Sequence, residues 1–186
     1  DDNGKTYETR YGNVLTGLGL PFALWHKNTQ GSPLPVDLAP YKNVIWFTGD
    51  ETGTGGGVIN ATDIATLKSH MDAGGNVCVA GVMAPSQIWN ADSSFMKNYL
   101  RTRTDSTTPI EATVAVYDGV PGNGVSDHLT VGIQTAPVTY VNSILTPMNG
   151  GLPTFTFKDD LGTGNYGNGG VIYSGLYRSV LLSFGP

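Results

Sequence analysis

The stretch from Val44 to Gly57, VIWFTGDETGTGGG, carries the strongest indication of fold. Its first four residues are apolar without alternation, which is typical of a strand buried on both faces of a parallel sheet. The run then ends in a glycine-rich loop that contains two acids, Asp50 and Glu51. Ligands of open α/β sheets bind beyond the carboxyl ends of the strands, so this loop is the first candidate for a functional site.

The rest of the first half alternates between helical and strand patterns. Helical spacing of apolar residues predicts three helices, over 7–18, 60–73 and near 95–100. Asn60 and Asp63 form a capping box in its Asn/Asp form at the start of the second helix. Uninterrupted apolar runs predict strands at 22–25, 44–47 and 77–80. This alternation predicts a doubly wound, mostly parallel, flavodoxin-like α/β sheet.

The second half, from about residue 104, has a different pattern. Short strand-like runs are separated by Gly, Pro and Asn clusters, at 112–117, 129–133, 138–144, 154–157, 170–174 and 180–184. We expect a β-rich C-terminal elaboration (104–186) on the alternating half (1–103). Because no internal repeat or linker separates them, residues 1–186 are interpreted as one domain.

Composition excludes several classes of function. A net charge of −5 leaves no electrostatic footprint for nucleic acid or an anionic membrane. No apolar run approaches the ~18 residues of a membrane span. The single cysteine, Cys78, excludes an internal disulfide and a multi-cysteine metal site. Only 13% of residues are charged, which favours an extracellular protein over a cytosolic one.

Several short sequence segments, taken in order along the chain, resemble one family. They are DDNG at the start, YKNVIWFTGDE, LKSHMDAGGNVCVAG, FMKNYL and YRSVLLSFG. The chain resembles the class I glutamine amidotransferase-like fold, in the trehalose-utilisation-like branch found in secreted bacterial multidomain proteins. The resemblance implies a flavodoxin-like architecture and a secreted or cell-surface setting, but fold alone does not fix chemistry.

The expected crevice collects residues that follow the strand ends. They are Asp1, Asp2, Thr48, Asp50, Glu51, Gly81 and, as a ring that could stack on a sugar, Trp89. The carboxylates of Asp2, Asp50 and Glu51 are ligands that suit Ca²⁺. The alternative is that these acids cap helices and solvate loops. The glycines are not a phosphate loop, since no Gly-Lys-Ser/Thr ends the stretch.

The chain offers few candidate catalytic residues. In active amidotransferases, the resemblance implies a cysteine on the sharp turn after a strand, served by a His and a Glu. The corresponding turn, Ala80-Gly81-Val82, offers no nucleophile, and Cys78 lies two residues earlier among apolar neighbours. His26, His70 and His128 are not spaced as a metal pair. The chain is therefore interpreted as lacking catalysis, with Cys78 as the weak candidate nucleophile.

The resemblance also implies that the first central strand precedes Asp1, between the strands at 22–25 and 44–47. We expect that slot to be filled by upstream residues, by a strand donated from another chain, or by residues 180–184. The main hypothesis is a non-catalytic extracellular module that binds a protein or carbohydrate or takes part in assembly. The alternatives are a subunit of an extracellular fibre or layer, and a hydrolase or amidotransferase-like enzyme that uses Cys78.

Overall fold

The structure, a computed structural model, describes residues 6–49, 59–110, 114–134, 140–159 and 165–184. In these ranges the helices are α1 (Tyr7–Gly17), α2 (Lys27–Gln30), α3 (Pro35–Leu38), α4 (Ala61–Asp72) and α5 (Ala84–Asn98). The first five strands are β1 (Asn43–Gly49), β2 (Asn76–Gly81), β3 (Thr102–Ile110), β4 (Val114–Gly119) and β5 (Thr130–Gln134). The last four are β6 (Tyr140–Pro147), β7 (Leu152–Asp159), β8 (Asn165–Ser174) and β9 (Arg178–Leu182).

All nine strands belong to one curled, mixed sheet. Among the strands that the structure describes, only β1, β2 and β9 are parallel neighbours, in that order. From β9 onward the order continues through β8, β7, β4 and β5 with antiparallel pairing. The strand β3 pairs with β6, which joins β8 at Leu145 opposite Asn168. The predicted doubly wound, mostly parallel flavodoxin-like sheet is therefore wrong. Apart from the parallel pairing of β9 with β2, every described pairing of the strands after α5 is antiparallel.

One face of the parallel strands carries the larger core. The predicted capping box begins α4: the Asp63 amide donates to Asn60 Oδ1 at 3.0 Å and the Asn60 amide to Asp63 Oδ2 at 2.8 Å. Below it, Ile64, Leu67 and Met71 are buried as the helical spacing predicts. They pack in one cluster with apolar residues of β2, α5 and β9. A second, smaller core lies in the antiparallel part and contains Tyr117, Phe155, Phe157 and Phe184.

Two predictions about strands next to β1 are wrong. Residues 20–26 have no regular secondary structure, although their apolar run predicted a strand at 22–25. Pro21 has no amide to donate, and no described strand lies alongside this segment. Residues 180–184 do not lie beside β1 either, since β9 pairs with β2 on one side and β8 on the other.

Candidate functional site

The predicted crevice lies where β1 and β2 end. Gly49 is paired with Gly81, and the Val82 amide donates to the Gly49 carbonyl at 3.3 Å. Thr48 is fully buried, and a Cβ added at Gly81 would stand 1.9 Å from Thr48 Oγ1. The structure thus brings Thr48 and Gly81 together, in a contact that requires glycine at position 81.

The acidic members of the predicted crevice cannot be placed. Asp1, Asp2, Asp50 and Glu51 lie outside the described residues, so the Ca²⁺ site stays a prediction. Within the described ranges, no group of three or more His, Cys, Asp or Glu side chains is arranged to hold a metal ion.

Trp89 lies on α5 and is partly buried against the larger core. The Lys97 ammonium lies 4.8 Å from the centroid of its ring, across a break in the helix at Asp92. This contact fastens the two halves of α5 together. Stacking of Trp89 on a sugar stays a prediction.

Cys78 lies inside the sheet, opposite Ile45 on β1 and Val180 on β9. Burial raises the pKa of its thiol to about 11. The residue is partly buried and retains some solvent contact. A nucleophilic cysteine needs a thiolate, which a neighbouring cation or helix N-terminus normally stabilises. At the turn that follows, Ala80 and Val82 are buried apolar side chains, so the arrangement opposes nucleophilic catalysis here.

The three histidines occupy packed positions or loop positions. The buried His70 ring lies against Gly75, where an added Cβ would stand 2.1 Å from His70 Nε2. Burial lowers the pKa of His70, outweighing the opposing effect of nearby backbone groups. His26 is the residue before α2, and the exposed His128 has a φ of 63° and lies 3.6 Å from an Asp127 oxygen.

The structure contains a buried ion pair that the sequence did not predict. Lys27 Nζ lies 2.6 Å from Asp63 Oδ2, and the two side chains are 9% and 0% exposed. The same ammonium lies 5.9 Å from the ring centroid of Trp46. Asp63 was recognised only as a helix cap, since nothing local indicates that a lysine 36 positions earlier reaches it. The pair links the start of α2 to the first turn of α4.

The most unusual surface of the described chain is apolar and lies near its beginning. Ten of the 15 exposed large hydrophobic side chains fall between Val14 and Ile45. Seven of them form what we call the N-terminal apolar surface: Val14, Leu18, Leu20, Phe22, Leu24, Trp25 and Ile45. No sequence signal beyond the helical stripe of α1 pointed to it, since apolar periodicity normally predicts burial.

Two contacts locate part of this set: α1 lies against β1, and Phe22 lies against α1. The helix α1 has no buried residue, and it meets the sheet where Tyr11 stacks on Phe47 with ring centroids 4.5 Å apart. Its apolar stripe continues from Tyr11 to Val14 and Leu18, which are 61% and 66% exposed. Phe22 folds back against α1, where a Cβ added at Gly12 would lie 3.3 Å from its ring. The stripe is therefore directed along the sheet surface but is largely uncovered.

The edge of β1 beside this surface is open. The Asn76 amide donates to the Lys42 carbonyl at 2.8 Å, so alternation directs the main-chain groups of Val44 and Trp46 toward β2. The N–H and C=O groups of Asn43, Ile45 and Phe47 then point away from β2. Within the described part of the chain, no strand pairs with β1 on that side. Such an edge is a template for another strand.

Comparison with known proteins gives one informative result. No protein family and no curated protein matches the sequence. Among solved structures, the chain is similar to the "mmIFT52 N-terminal domain", with a TM-score of 0.51, 15% identity, and coverage of 82% of this chain and 70% of that chain. At this identity the likeness concerns the fold alone.

The comparison and the sheet together correct the family expectation. The resemblance to a secreted bacterial amidotransferase-like domain is wrong: the similar structure is a domain of IFT52, an intraflagellar transport protein, and the sheet is mixed and mostly antiparallel. The secreted or extracellular location, which the resemblance and the low charged content had suggested, is wrong as well, since the similar structure is a domain of an intraflagellar transport protein. Within the described ranges, no helix has the length and apolar character needed to cross a membrane.

Proposed function

We propose that this domain is a non-catalytic binding or assembly module that works through the N-terminal apolar surface and the open edge of β1. Three observations carry the proposal: seven exposed apolar side chains lie near the start of the described chain, Tyr11 of α1 stacks on Phe47 of β1, and no described strand pairs with the outer edge of β1. Soluble monomers rarely expose large contiguous apolar patches, and those that exist commonly mark interaction sites.

The chemistry of the surface favours a protein partner over a carbohydrate. Among the seven side chains, the one polar group is the indole N–H of Trp25, which donates to the Gly31 carbonyl at 2.9 Å. The remaining side chains are hydrocarbon, and the open edge supplies main-chain donors and acceptors. An extended polypeptide satisfies both features, since it adds a strand to the edge and packs its side chains on the apolar residues.

The enzymatic alternative has less support. Burial keeps the Cys78 thiol protonated near neutral pH, and the turn after β2 presents only glycine and buried apolar side chains. Thiolate formation is the first requirement of cysteine chemistry.

A displayed library of extended peptides tests the proposal. Peptides selected on the domain should lose at least about 10-fold in affinity on Leu18→Lys or Ile45→Lys, because each change places a charge in the apolar contact. Leu176→Lys is the matched control, since Leu176 is 93% exposed in the turn between β8 and β9. Selected peptides that bind all three variants equally would refute the proposed surface.

A further inference from the structure

We propose that Asn149 is a site of spontaneous covalent modification, at which deamidation releases the turn between β6 and β7 from the end of α5. Asn-Gly pairs are prone to this reaction, because glycine has no Cβ to hinder the approach of its nitrogen to the asparagine side chain. The sequence has four such pairs, which begin at Asn3, Asn123, Asn149 and Asn168. Asn3 lies outside the described residues, and the structure distinguishes the other three. The modification is independent of the N-terminal apolar surface.

The reaction needs no reactant other than water. The main-chain nitrogen of Gly150 loses its proton to the solvent and attacks Cγ of Asn149, and the side-chain nitrogen leaves as ammonia. Water then opens the resulting succinimide ring at one of its two carbonyl carbons. Opening at Cγ gives aspartate. Opening at the main-chain carbonyl gives isoaspartate, in which the backbone runs through the side chain.

Asn149 lies in an exposed, tightly closed turn. The Gly151 amide donates to the Met148 carbonyl at 2.8 Å, and Asn149 and Gly150 have φ values of 50° and 87°, both positive as in a type I′ turn. Both central residues are exposed, and no described main-chain carbonyl accepts a hydrogen bond from the Gly150 amide. The Asn149 side chain donates to the Lys97 carbonyl at 3.1 Å. The rotation that brings the Gly150 nitrogen to Cγ therefore breaks few contacts.

The Asn123 side chain is held by a network of hydrogen bonds. Its Oδ1 accepts from the amides of Val125 and Ser126, each at 2.9 Å, and its Nδ2 donates to Ser126 Oγ at 2.8 Å. The same Nδ2 lies 3.4 Å and 3.3 Å from the carbonyl oxygens of Pro153 and Thr154. Ser126 and Thr154 are fully buried, so the network is shielded from water. Ring closure at Asn123 must break several hydrogen bonds at once.

Asn168 is fixed within the strand β8. It lies opposite Thr156 on β7 and Leu145 on β6, and its Nδ2 donates to the Leu145 carbonyl at 3.0 Å. The following Gly169 is buried, and a Cβ added there would stand 2.4 Å from the ring of Tyr117. Rotation of this backbone would disrupt the sheet on both sides. Among the three described pairs, the one that begins at Asn149 is therefore the least hindered.

Deamidation at Asn149 changes a contact that holds the end of α5. The Lys97 carbonyl, to which the Asn149 side chain donates, lies in the last turn of α5, where carbonyls lack helical partners. The Met148 amide donates to the Arg101 carbonyl at 2.7 Å, so the turn also holds the residue before β3. A carboxylate at position 149 donates no hydrogen bond, and its negative charge is unfavourable at a helix C-terminus. The products therefore loosen the turn from α5.

Peptide mapping of the folded protein tests the site. During incubation at mildly alkaline pH, mass spectrometry should find Asn149 converted to aspartate and isoaspartate at least about 10-fold faster than Asn123 or Asn168, since the additional contacts of those two must break first. In denaturant the three should react at similar rates. Asn149→Gln is the matched control, because it keeps a primary amide but must close a larger, slower ring, and it should stay unmodified. Conversion of Asn149 no faster than that of Asn123 and Asn168 in the folded protein would overturn the proposal.

Thermal unfolding of Asn149→Asp tests the consequence. This variant is one product of the reaction, and its Tm should lie roughly 2–6 °C below that of the unmodified protein, because it loses the donor and adds a charge near the helix end. Asn90→Asp adds the same charge at an exposed position of α5 and should change Tm little. If Asn149→Asp and the unmodified protein melt at the same temperature, the turn is not released and that part of the proposal is wrong.

Discussion

Removing the ammonium of the Lys27–Asp63 pair should destabilise the protein strongly. Lys27→Met keeps most of the aliphatic stem but leaves the Asp63 carboxylate, which has no solvent exposure, without its ion-pair partner. Breaking a buried pair in this way costs about 3–5 kcal/mol, because one charge remains buried. For a domain of 186 residues, 1 kcal/mol corresponds to roughly 2–4 °C in Tm. We therefore expect Tm to fall by roughly 6–20 °C.

A double-mutant cycle isolates the cause. Asp63→Asn preserves the acceptor for the Asn60 amide but removes the charge, so Lys27→Met should cost about 1–3 kcal/mol less in that background. Denaturant unfolding followed by tryptophan fluorescence is suitable, since Lys27 lies beside Trp46. Equal costs of Lys27→Met in both backgrounds, or a cost below about 1 kcal/mol, would refute the reasoning.

The further predictions concern Cys78, Asp92 and the expected Ca²⁺ site. Because burial raises the pKa of Cys78 to about 11, iodoacetamide should label the native thiol far more slowly than the unfolded one at about pH 8.5; rapid stoichiometric labelling by mass spectrometry would contradict its burial. The same raised pKa means that this thiol's contribution to stability is present below about pH 8.5 and is lost as pH rises through about 11, which unfolding at stepped alkaline pH would show. Asp92 accepts hydrogen bonds from Lys68 and from the amides that follow the break in α5, so Asp92→Ala should cost about 1–2 kcal/mol, whereas Asp92→Asn, which retains the cap, should cost less; equal costs in thermal unfolding would argue against capping. The hydrogen bond from Lys68 lowers the pKa of Asp92 in the folded protein. The contribution of Asp92 to the free energy of unfolding should therefore be complete above the unfolded pKa of about 3.9, and it should be lost as pH falls from there through the lower folded pKa. If Asp2, Asp50 and Glu51 bind Ca²⁺, a chelator should lower Tm and Asp50→Asn should abolish that effect; an unchanged melting curve would leave no support for the site.

Local patterns predicted those elements whose causes lie within a few residues. The capping box at Asn60 and the buried stripe from Ile64 to Met71 correctly located α4, since caps and helical periodicity act over one or two turns. The apolar runs at 44–47 and 77–80 correctly located β1 and β2 for the same reason. The apolar run at 22–25 looked equivalent but forms no strand, because a strand also needs a neighbour with which to exchange hydrogen bonds.

Long-range pairing determined the remaining features. The strand β3 was missed because its Thr-rich sequence lacks an apolar run, although β-branched residues favour strands. Two other contacts join residues that are far apart in the sequence. The strand β9 pairs with β2 at a sequence separation of about a hundred residues, and Lys27 contacts Asp63, which follows it by 36 positions. The exposed stripe of α1 gave the most misleading local signal: its periodicity predicts burial, but burial depends on what lies opposite in space. In the described chain, what lies beyond Tyr11 is an open edge, and that follows only from how the strands assemble.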